Sequence, residues 1–124
     1  MHKMIGLGID AVDIGRFARV LERSPNLAGR VFTDDERALA ARRVDSAAVL
    51  AARFAVREAT MKALGVGLGA FDFHDVSVTS SPEGRPALQV SGRAADIARR
   101  RGVAKWHVSI SHTDNLAVAV VAAD

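Results

Sequence analysis

The strongest constraint on the fold is a helical pattern over residues 47–64 that is apolar on most of its circumference. On a wheel of about 100° per residue, one apolar sector consists of Leu50, Phe54, Met61 and Leu64. A second apolar sector, on the other side, consists of Val49, Ala52, Val56, Ala59 and Ala63. A helix that is apolar on most sides is buried, and the Gly65 that follows is typical of a helix stop. The sequence therefore predicts a fold built around one buried helix.

Four charged side chains interrupt this apolar pattern: Arg53, Arg57, Glu58 and Lys62. Arg57 falls inside the first sector and Glu58 lies at its edge, and a buried charge is costly unless it has a partner. Glu58 and Lys62 are spaced i, i+4, which favours a local ion pair. That pair leaves Arg53 and Arg57 unexplained, because like charges at this spacing repel. The alternative is that the cluster faces an anion, with Glu58 holding Mg²⁺ beside phosphates.

The first predicted strand, "MIGLGIDAVDI" (4–14), alternates apolar side chains with Gly6, Gly8 and Asp10. Two glycines on one face predict that another backbone packs closely there. Asp10 lies on the same face, either as a turn or cap residue or as the second carboxylate of a Mg²⁺ site. Asp13 competes for the metal, although a cap of the following helix suits it better.

The remaining patterns complete the element order β-α-α-α-β-β-α-β-β. Helical spacing covers 15–24, the capping box "TDDE" (33–36) begins a second helix, and Asp45 or Ser46 caps the long one. The other expected elements are strands at 74–80, 85–90, 105–112 and 115–123 and a short helix at 92–102. We expect a single α+β domain, residues 1–124, with a mostly antiparallel sheet packed on the long buried helix.

Composition narrows the classes of function. Hydrophobic residues make up 49% of the chain, which argues against disorder. The absence of cysteine excludes disulfides, thiolate metal sites and a cysteine nucleophile. The N-terminus does not resemble a signal peptide and no apolar run is long enough to span a bilayer, so we expect a cytoplasmic protein without a membrane partner. The net charge of +3, carried mainly by arginine, favours an acidic partner or a phosphate-rich ligand.

Two surface features predict partners. Arg16, Arg19 and Arg23 form a basic stripe along the first helix, which is either an ordinary solvated face or the docking face for an acidic helix. The apolar stretch "LAVAVVAA" (116–123) has few charges to protect a sheet edge, so we expect a neighbouring subunit to cover it.

Three segments in this order and spacing, "GIDAVDIGRF", "RFAVREATMKALG" and "WHVSISHTD", resemble holo-[acyl-carrier-protein] synthase, the short single-domain class of 4′-phosphopantetheinyl transferases. The resemblance covers nearly the whole chain. It implies an α+β fold, a homotrimer with active sites between subunits, and Mg²⁺-dependent chemistry. The implied reaction transfers the 4′-phosphopantetheine arm of coenzyme A to a serine of apo-acyl carrier protein, with release of adenosine 3′,5′-bisphosphate, in support of fatty acid biosynthesis.

The resemblance also assigns roles to residues. It implies that Asp10 and Glu58 bind Mg²⁺ and that Lys62 contacts phosphate and takes part in catalysis. It places Arg53 and His112 on the phosphates of coenzyme A, from different subunits. It places Arg16 on the carrier protein, and the basic stripe, not the resemblance, adds Arg19 and Arg23 to that surface.

One position departs from the family motif, which usually reads "KEA" where this chain has "REA". Arg57 keeps the charge of the usual lysine but is not a proton donor or base, so we expect it to clamp phosphate. The loop "GVGLG" that begins at Gly65 would let a phosphate approach the backbone. The base that activates the serine is Glu58, a Mg²⁺-bound water or Asp114, and the sequence leaves these alternatives open.

Two rival functions have weaker support. A basic module that binds RNA would use the arginines on phosphates, but the charge is modest and aromatic residues for base stacking are few, so we expect no nucleic-acid partner. A metal-dependent phosphate hydrolase would need more carboxylates near Asp10 than the sequence offers.

Overall fold

The computed structural model describes residues 3–124. Its N-terminal half consists of β1 (Gly6–Asp13), α1 (Ile14–Arg23), α2 (Leu27–Val31), α3 (Asp34–Ala41) and α4 (Ser46–Leu64). After a 3-10 turn at Phe73–Asp75, the C-terminal half consists of β2 (Val76–Ser80), β3 (Pro86–Val90), α5 (Gly92–Arg100), β4 (Trp106–His112) and β5 (Leu116–Ala123). The predicted order is confirmed, with α2 and the 3-10 turn as additions. The single-domain boundaries stay a prediction.

The strands within residues 3–124 form two antiparallel sheets, in the orders β1-β5-β4 and β2-β3. The α+β class with antiparallel pairing is therefore confirmed, although one sheet was expected. The expectation that residues 116–123 form a sheet edge that a neighbouring subunit covers is wrong. β5 is the central strand of its sheet, with β1 on one side and β4 on the other, so both of its edges are already paired. Its apolar composition reflects that central position, because alternate residues from Ala117 to Ala123 are fully buried.

Helix α4 lies at the centre of the fold, as its apolar circumference predicts. Most of its residues are buried, and it packs on β1, β5, β4, β2, α1 and α3. The two glycines of β1 make the closest of these contacts possible. A Cβ atom added to Gly6 would lie 1.8 Å from the Ala63 carbonyl oxygen, and one added to Gly8 would lie 1.9 Å from the Ala59 carbonyl oxygen. The predicted close backbone approach is confirmed.

The helix ends agree with the local sequence, with one exception. Thr33 and Glu36 form the predicted capping box of α3, Asp13 caps α1, and Gly65 ends α4 in the left-handed region at φ 70°. The predicted side-chain cap of α4 is wrong. Asp45 occupies the N-cap position but makes no capping bond within the described chain, because its carboxylate accepts two hydrogen bonds from Arg43 instead.

None of the helices in residues 3–124 combines the length and the apolar character that crossing a bilayer requires.

Candidate active site

Asp10, Glu58 and Lys62 come together where α4 crosses β1. The close contact between Gly8 and Ala59 sets the two elements side by side, and Asp10 is the next residue of β1 on the same face. The Lys62 ammonium group donates to the Ile9 carbonyl oxygen at 2.9 Å and lies 3.1 Å from a carboxylate oxygen of Asp10. Lys62 therefore forms an ion pair across the two elements, with Asp10, rather than the simpler local pair with Glu58.

Glu58 is held in an environment that disfavours its charged form. Partial burial raises the pKa of the Glu58 carboxyl, the neighbouring Asp10 carboxylate raises it further, and the positive charge of Lys62 lowers it. Two carboxylates that repel each other in this way form a place where a cation is favoured. The sequence placed them 48 positions apart, and only the packing of α4 on β1 makes them neighbours.

Both carboxylates line one cleft of about 330 Å³. The cleft is also lined by Phe17, Val20 and Phe54, and by Asp13 and Arg16 from the start of α1. Asp13 is engaged as the helix cap, because its carboxylate accepts the Arg16 backbone N–H at 2.8 Å. The cap role predicted for Asp13 is thus confirmed, and Asp10 is left as the carboxylate that faces Glu58.

The donor set fits a sparsely coordinated Mg²⁺. The described residues contain no group of three or more acidic, histidine or cysteine side chains arranged to hold a metal. Mg²⁺ is commonly held by one or two carboxylates together with water and substrate phosphates, so a pair of carboxylates at an open cleft suits it. Such an ion would neutralise phosphate charge at this position.

Arg57 has a different position from the one that a phosphate clamp requires. Its side chain is fully buried, as the wheel predicted, and forms an ion pair with Glu36 at 2.6 Å. A guanidinium without exposed surface does not reach a ligand in a cleft, so we correct the predicted phosphate contact of Arg57 to a structural ion pair. The sequence analysis identified Glu36 only as a cap. Its second role as the buried partner of Arg57 has no local signal, because the two residues are 21 positions apart.

Arg53 and His112 lie in clefts other than the one that holds Asp10 and Glu58. Arg53 is half-buried beside Arg42 in a cleft of about 220 Å³ that also reaches Thr79 and Ser80 of β2. His112 lines a cleft of about 230 Å³ together with Asp45, whose carboxylate lies 3.7 Å from the imidazole Nε2. Within one chain, these predicted phosphate contacts are therefore separate from the carboxylate pair.

The five other predicted residues have the following positions. The Gly65 N–H is bonded to the Lys62 carbonyl oxygen at 3.1 Å, so it acts in ending the helix. Asp114, a candidate base, lines the His112 cleft and not the Glu58 cleft. Arg16, Arg19 and Arg23 are all exposed on α1, and Arg16 lines the carboxylate cleft.

Comparisons with known proteins agree on one family. Residues 6–121 match the family model described as the 4′-phosphopantetheinyl transferase superfamily. The chain is 45% identical to the holo-[acyl-carrier-protein] synthase of Salinispora arenicola over 121 residues, which cover 98% of both chains. It is 46% identical to the protein of the same name from Streptomyces coelicolor, with the same coverage.

Two solved structures with that name share the fold. The Neisseria meningitidis structure has a TM-score of 0.89 at 27% identity and covers 98% of this chain and 99% of its own. The Bacillus anthracis structure, described as a complex with CoA (3′,5′-ADP), has a TM-score of 0.79 at 31% identity, with coverage of 97% and 96%. The predicted family resemblance is confirmed.

Proposed function

The chain belongs to the 4′-phosphopantetheinyl transferase superfamily, and from this premise we propose the details of its reaction. The chain is a transferase of the holo-[acyl-carrier-protein] synthase type, which modifies an apo-acyl carrier protein. We propose that the donor is coenzyme A, that the products are holo-acyl carrier protein and adenosine 3′,5′-bisphosphate, and that the reaction requires Mg²⁺. We further propose that it serves fatty acid biosynthesis and takes place in the cytoplasm.

The observation that carries this proposal is the meeting of Asp10 and Glu58 at one cleft, with Lys62 paired to Asp10 beside them. Asp10 and Glu58 would hold Mg²⁺, which would supply charge neutralisation at the pyrophosphate of coenzyme A. Lys62 places a positive charge beside the same carboxylates and would stabilise the charge that develops on the leaving phosphate oxygen. Phosphoryl transfer depends mainly on such positioning and electrostatics.

The serine of the carrier protein would attack the β-phosphorus of coenzyme A. Its oxygen forms the new P–O bond, the bond to the bridging oxygen breaks, and adenosine 3′,5′-bisphosphate leaves. Glu58 is the better-placed candidate to accept the serine proton than Asp114, because it lines the cleft where the reaction would take place. Asp114 lies in another cleft of the same chain.

A direct test is to incubate the protein with coenzyme A, Mg²⁺ and an apo-acyl carrier protein and to follow the intact mass of the carrier. We expect the mass to increase by one phosphopantetheine group and the increase to disappear with EDTA. Hydrolysis of coenzyme A without carrier would instead indicate a phosphate hydrolase. Retention on RNA or heparin that persists in Glu58→Ala, without transfer, would indicate a nucleic-acid-binding module.

Arg53 and His112 would bind the phosphates of one coenzyme A molecule only if neighbouring subunits bring their clefts together. We therefore propose a homotrimer. The outer face of the β1-β5-β4 sheet supports this, because Leu7 is 60% exposed and Ile9 is 58% exposed on β1. Ile9 pairs with Val120 of β5, so apolar side chains continue across the same face. Exposed apolar patches of this kind commonly mark subunit contacts.

The prediction for assembly is that sedimentation at micromolar concentration gives a particle of three chains. Leu7→Glu together with Ile9→Glu is expected to produce monomers, because it places two charges in the proposed interface. Leu68→Glu, at another apolar residue that is 75% exposed, serves as the matched control and should leave the trimer intact. A wild-type monomer would contradict the proposal and with it the shared coenzyme A site.

The basic stripe on α1 is the proposed docking surface for the carrier protein. Arg16, Arg19 and Arg23 are exposed, and Arg16 borders the cleft of Asp10 and Glu58, so a partner that lies along the stripe would reach the site of chemistry. Each exposed ion pair contributes only about 0.2–1 kcal/mol and is screened by salt. The stripe should therefore act mainly on association with an acidic carrier protein.

Charge reversal along the stripe tests this docking surface. Arg16→Glu with Arg23→Glu is expected to raise the KM for carrier protein about tenfold and to leave the KM for coenzyme A near that of the wild type. Added salt should then weaken carrier recognition less than in the wild type. Arg99→Glu with Arg100→Glu, on the exposed surface of α5, is the control and should change neither constant. Equal losses for both substrates would mean that the stripe supports the active site itself.

A further inference from the structure

Arg57 connects α4 to two other parts of the chain, α3 and the 3-10 turn, and also bonds to the preceding turn of α4 itself. Its guanidinium donates two hydrogen bonds to the Glu36 carboxylate of α3, at 2.6 and 3.2 Å. It also donates to the Phe73 carbonyl oxygen at 2.8 Å and to the Arg53 carbonyl oxygen at 3.3 Å. Arg57 thus stands one helical turn after Arg53 and directly before Glu58, two residues to which the proposed reaction gives roles.

The carboxylate of Glu36 is saturated by these and neighbouring contacts. One oxygen accepts from Arg57 and from the Thr33 N–H and hydroxyl, and the other accepts from Arg57 and from the Val78 N–H at 3.1 Å. Glu36 is 2% exposed, so it has little access to water. Arg57 is the cation bound to this carboxylate, and a buried carboxylate without a cation is strongly unfavourable.

Arg53 is the next cation along the same helix, and it is left incompletely paired. It lines the same cleft as Glu36. Its Nε atom is buried and has no hydrogen-bond partner among residues 3–124. Burial lowers the pKa of the Arg53 guanidinium, and the Glu36 carboxylate opposes that effect across the cleft, whereas the Arg57 charge adds to it. The guanidinium is only half-buried and forms no ion pair within residues 3–124, so its accessible end is suited to receive an anion.

We propose that Arg57 is a positioning residue that occupies Glu36 and thereby keeps Arg53 free to bind a phosphate of coenzyme A. The inference rests on the proposed function, because it assigns the ligand of Arg53. Without Arg57, Glu36 would be a buried carboxylate in need of a cation, and Arg53 lies one turn away at the same cleft. Arg53 would turn inward to Glu36, and the anion site would lose its cation.

The test compares single and double variants by calorimetric binding of adenosine 3′,5′-bisphosphate. Arg57→Met is expected to weaken binding about tenfold to a hundredfold, because Glu36 captures Arg53. Glu36→Gln combined with Arg57→Met removes the capturing charge and should restore binding to within about threefold of the wild type. Arg53→Met should weaken binding of the bisphosphate both in the wild type and in the double variant. In steady state, Arg57→Met should raise the KM for coenzyme A more than it lowers kcat, and the KM for carrier protein should not change.

A purely structural role for Arg57 gives a different pattern, in which the double variant binds no better than Arg57→Met, and this result would overturn the proposal. Unchanged binding in Arg57→Met would also overturn it. If Arg57→Met fails to fold, Arg57→Gln takes its place, because glutamine is also uncharged but retains a donor for Glu36. If Arg57→Met and Arg57→Gln both unfold while the double variant folds, Arg53 does not replace Arg57 as the cation at Glu36. The proposal is then wrong. Wild-type protein that neither binds the bisphosphate nor modifies a carrier protein would instead refute the proposed function.

Discussion

Glu58→Ala and Asp10→Ala are each expected to reduce phosphopantetheine transfer by at least about a thousandfold while the chain stays folded. Each change removes one of the two carboxylates at the cleft, and with it half of the proposed protein ligands for Mg²⁺. The fold should tolerate both. The Asp10 partner, Lys62, has a side chain that is 55% exposed, so their ion pair contributes little to stability. Glu58 already lies where its charged form is disfavoured by burial and by Asp10.

Single-turnover kinetics measures the loss of phosphopantetheine transfer in both variants. Circular dichroism with thermal unfolding measures whether they stay folded. Asp13→Ala is the matched control, because Asp13 lines the same cleft but serves as the cap of α1. It should lose about 1 kcal/mol of stability and retain activity within a few-fold of the wild type. If Glu58→Ala unfolds, Glu58 is a structural residue. If Asp13→Ala loses as much activity as Asp10→Ala, the metal lies nearer to α1 than we propose.

Gly8→Ala is expected to be among the most destabilising single changes in the chain, with a loss of about 3 kcal/mol or more. The new methyl group would lie 1.9 Å from the Ala59 carbonyl oxygen, a distance that forces α4 and β1 apart. The obstacle is helix backbone, which does not rotate out of the way as a side chain does. Separation of the two elements would also displace Asp10 from Glu58 and Lys62, so transfer activity should fall in the molecules that remain folded.

Urea unfolding of Gly8→Ala beside Gly67→Ala measures this effect. Gly67 is exposed, and a Cβ atom added there meets nothing within 4 Å, so that change should alter stability by less than about 0.5 kcal/mol. A Gly8→Ala protein as stable as Gly67→Ala would show that β1 and α4 are not packed backbone to backbone. The positioning of the carboxylate pair would then need another explanation.

Local patterns in the sequence were sufficient for much of the fold. The apolar circumference of residues 47–64 indicated a buried helix, the glycines of β1 indicated a close backbone contact, and Thr33 with Glu36 indicated a helix start. Each of these signals spans a few neighbouring residues, and its physical cause is periodic burial or a nearby hydrogen bond. The family and the class of enzyme followed from three motifs in register.

The sequence patterns failed where the same residues fit more than one partner or more than one position in the fold. The apolar stretch 116–123 was expected at a sheet edge, because an apolar strand with two paired edges has the same composition as an unprotected edge strand. Residues 27–31 form a short helix that the sequence analysis did not predict, and Asn26 at its N-cap position makes no side-chain capping bond within the described chain. Asp45 was expected to cap α4, and the nearby Arg43 took its carboxylate instead.

The sequence by itself therefore determined the buried helix, the glycine face of β1 and the family to which the chain belongs. Only the tertiary structure decided the partners of the charged residues. Lys62 pairs with Asp10 rather than with Glu58, and Arg57 pairs with Glu36 rather than with phosphate. The physical reason is that burial follows from the local periodicity of apolar residues, whereas a charge binds whichever opposite charge the packing brings within a few ångströms.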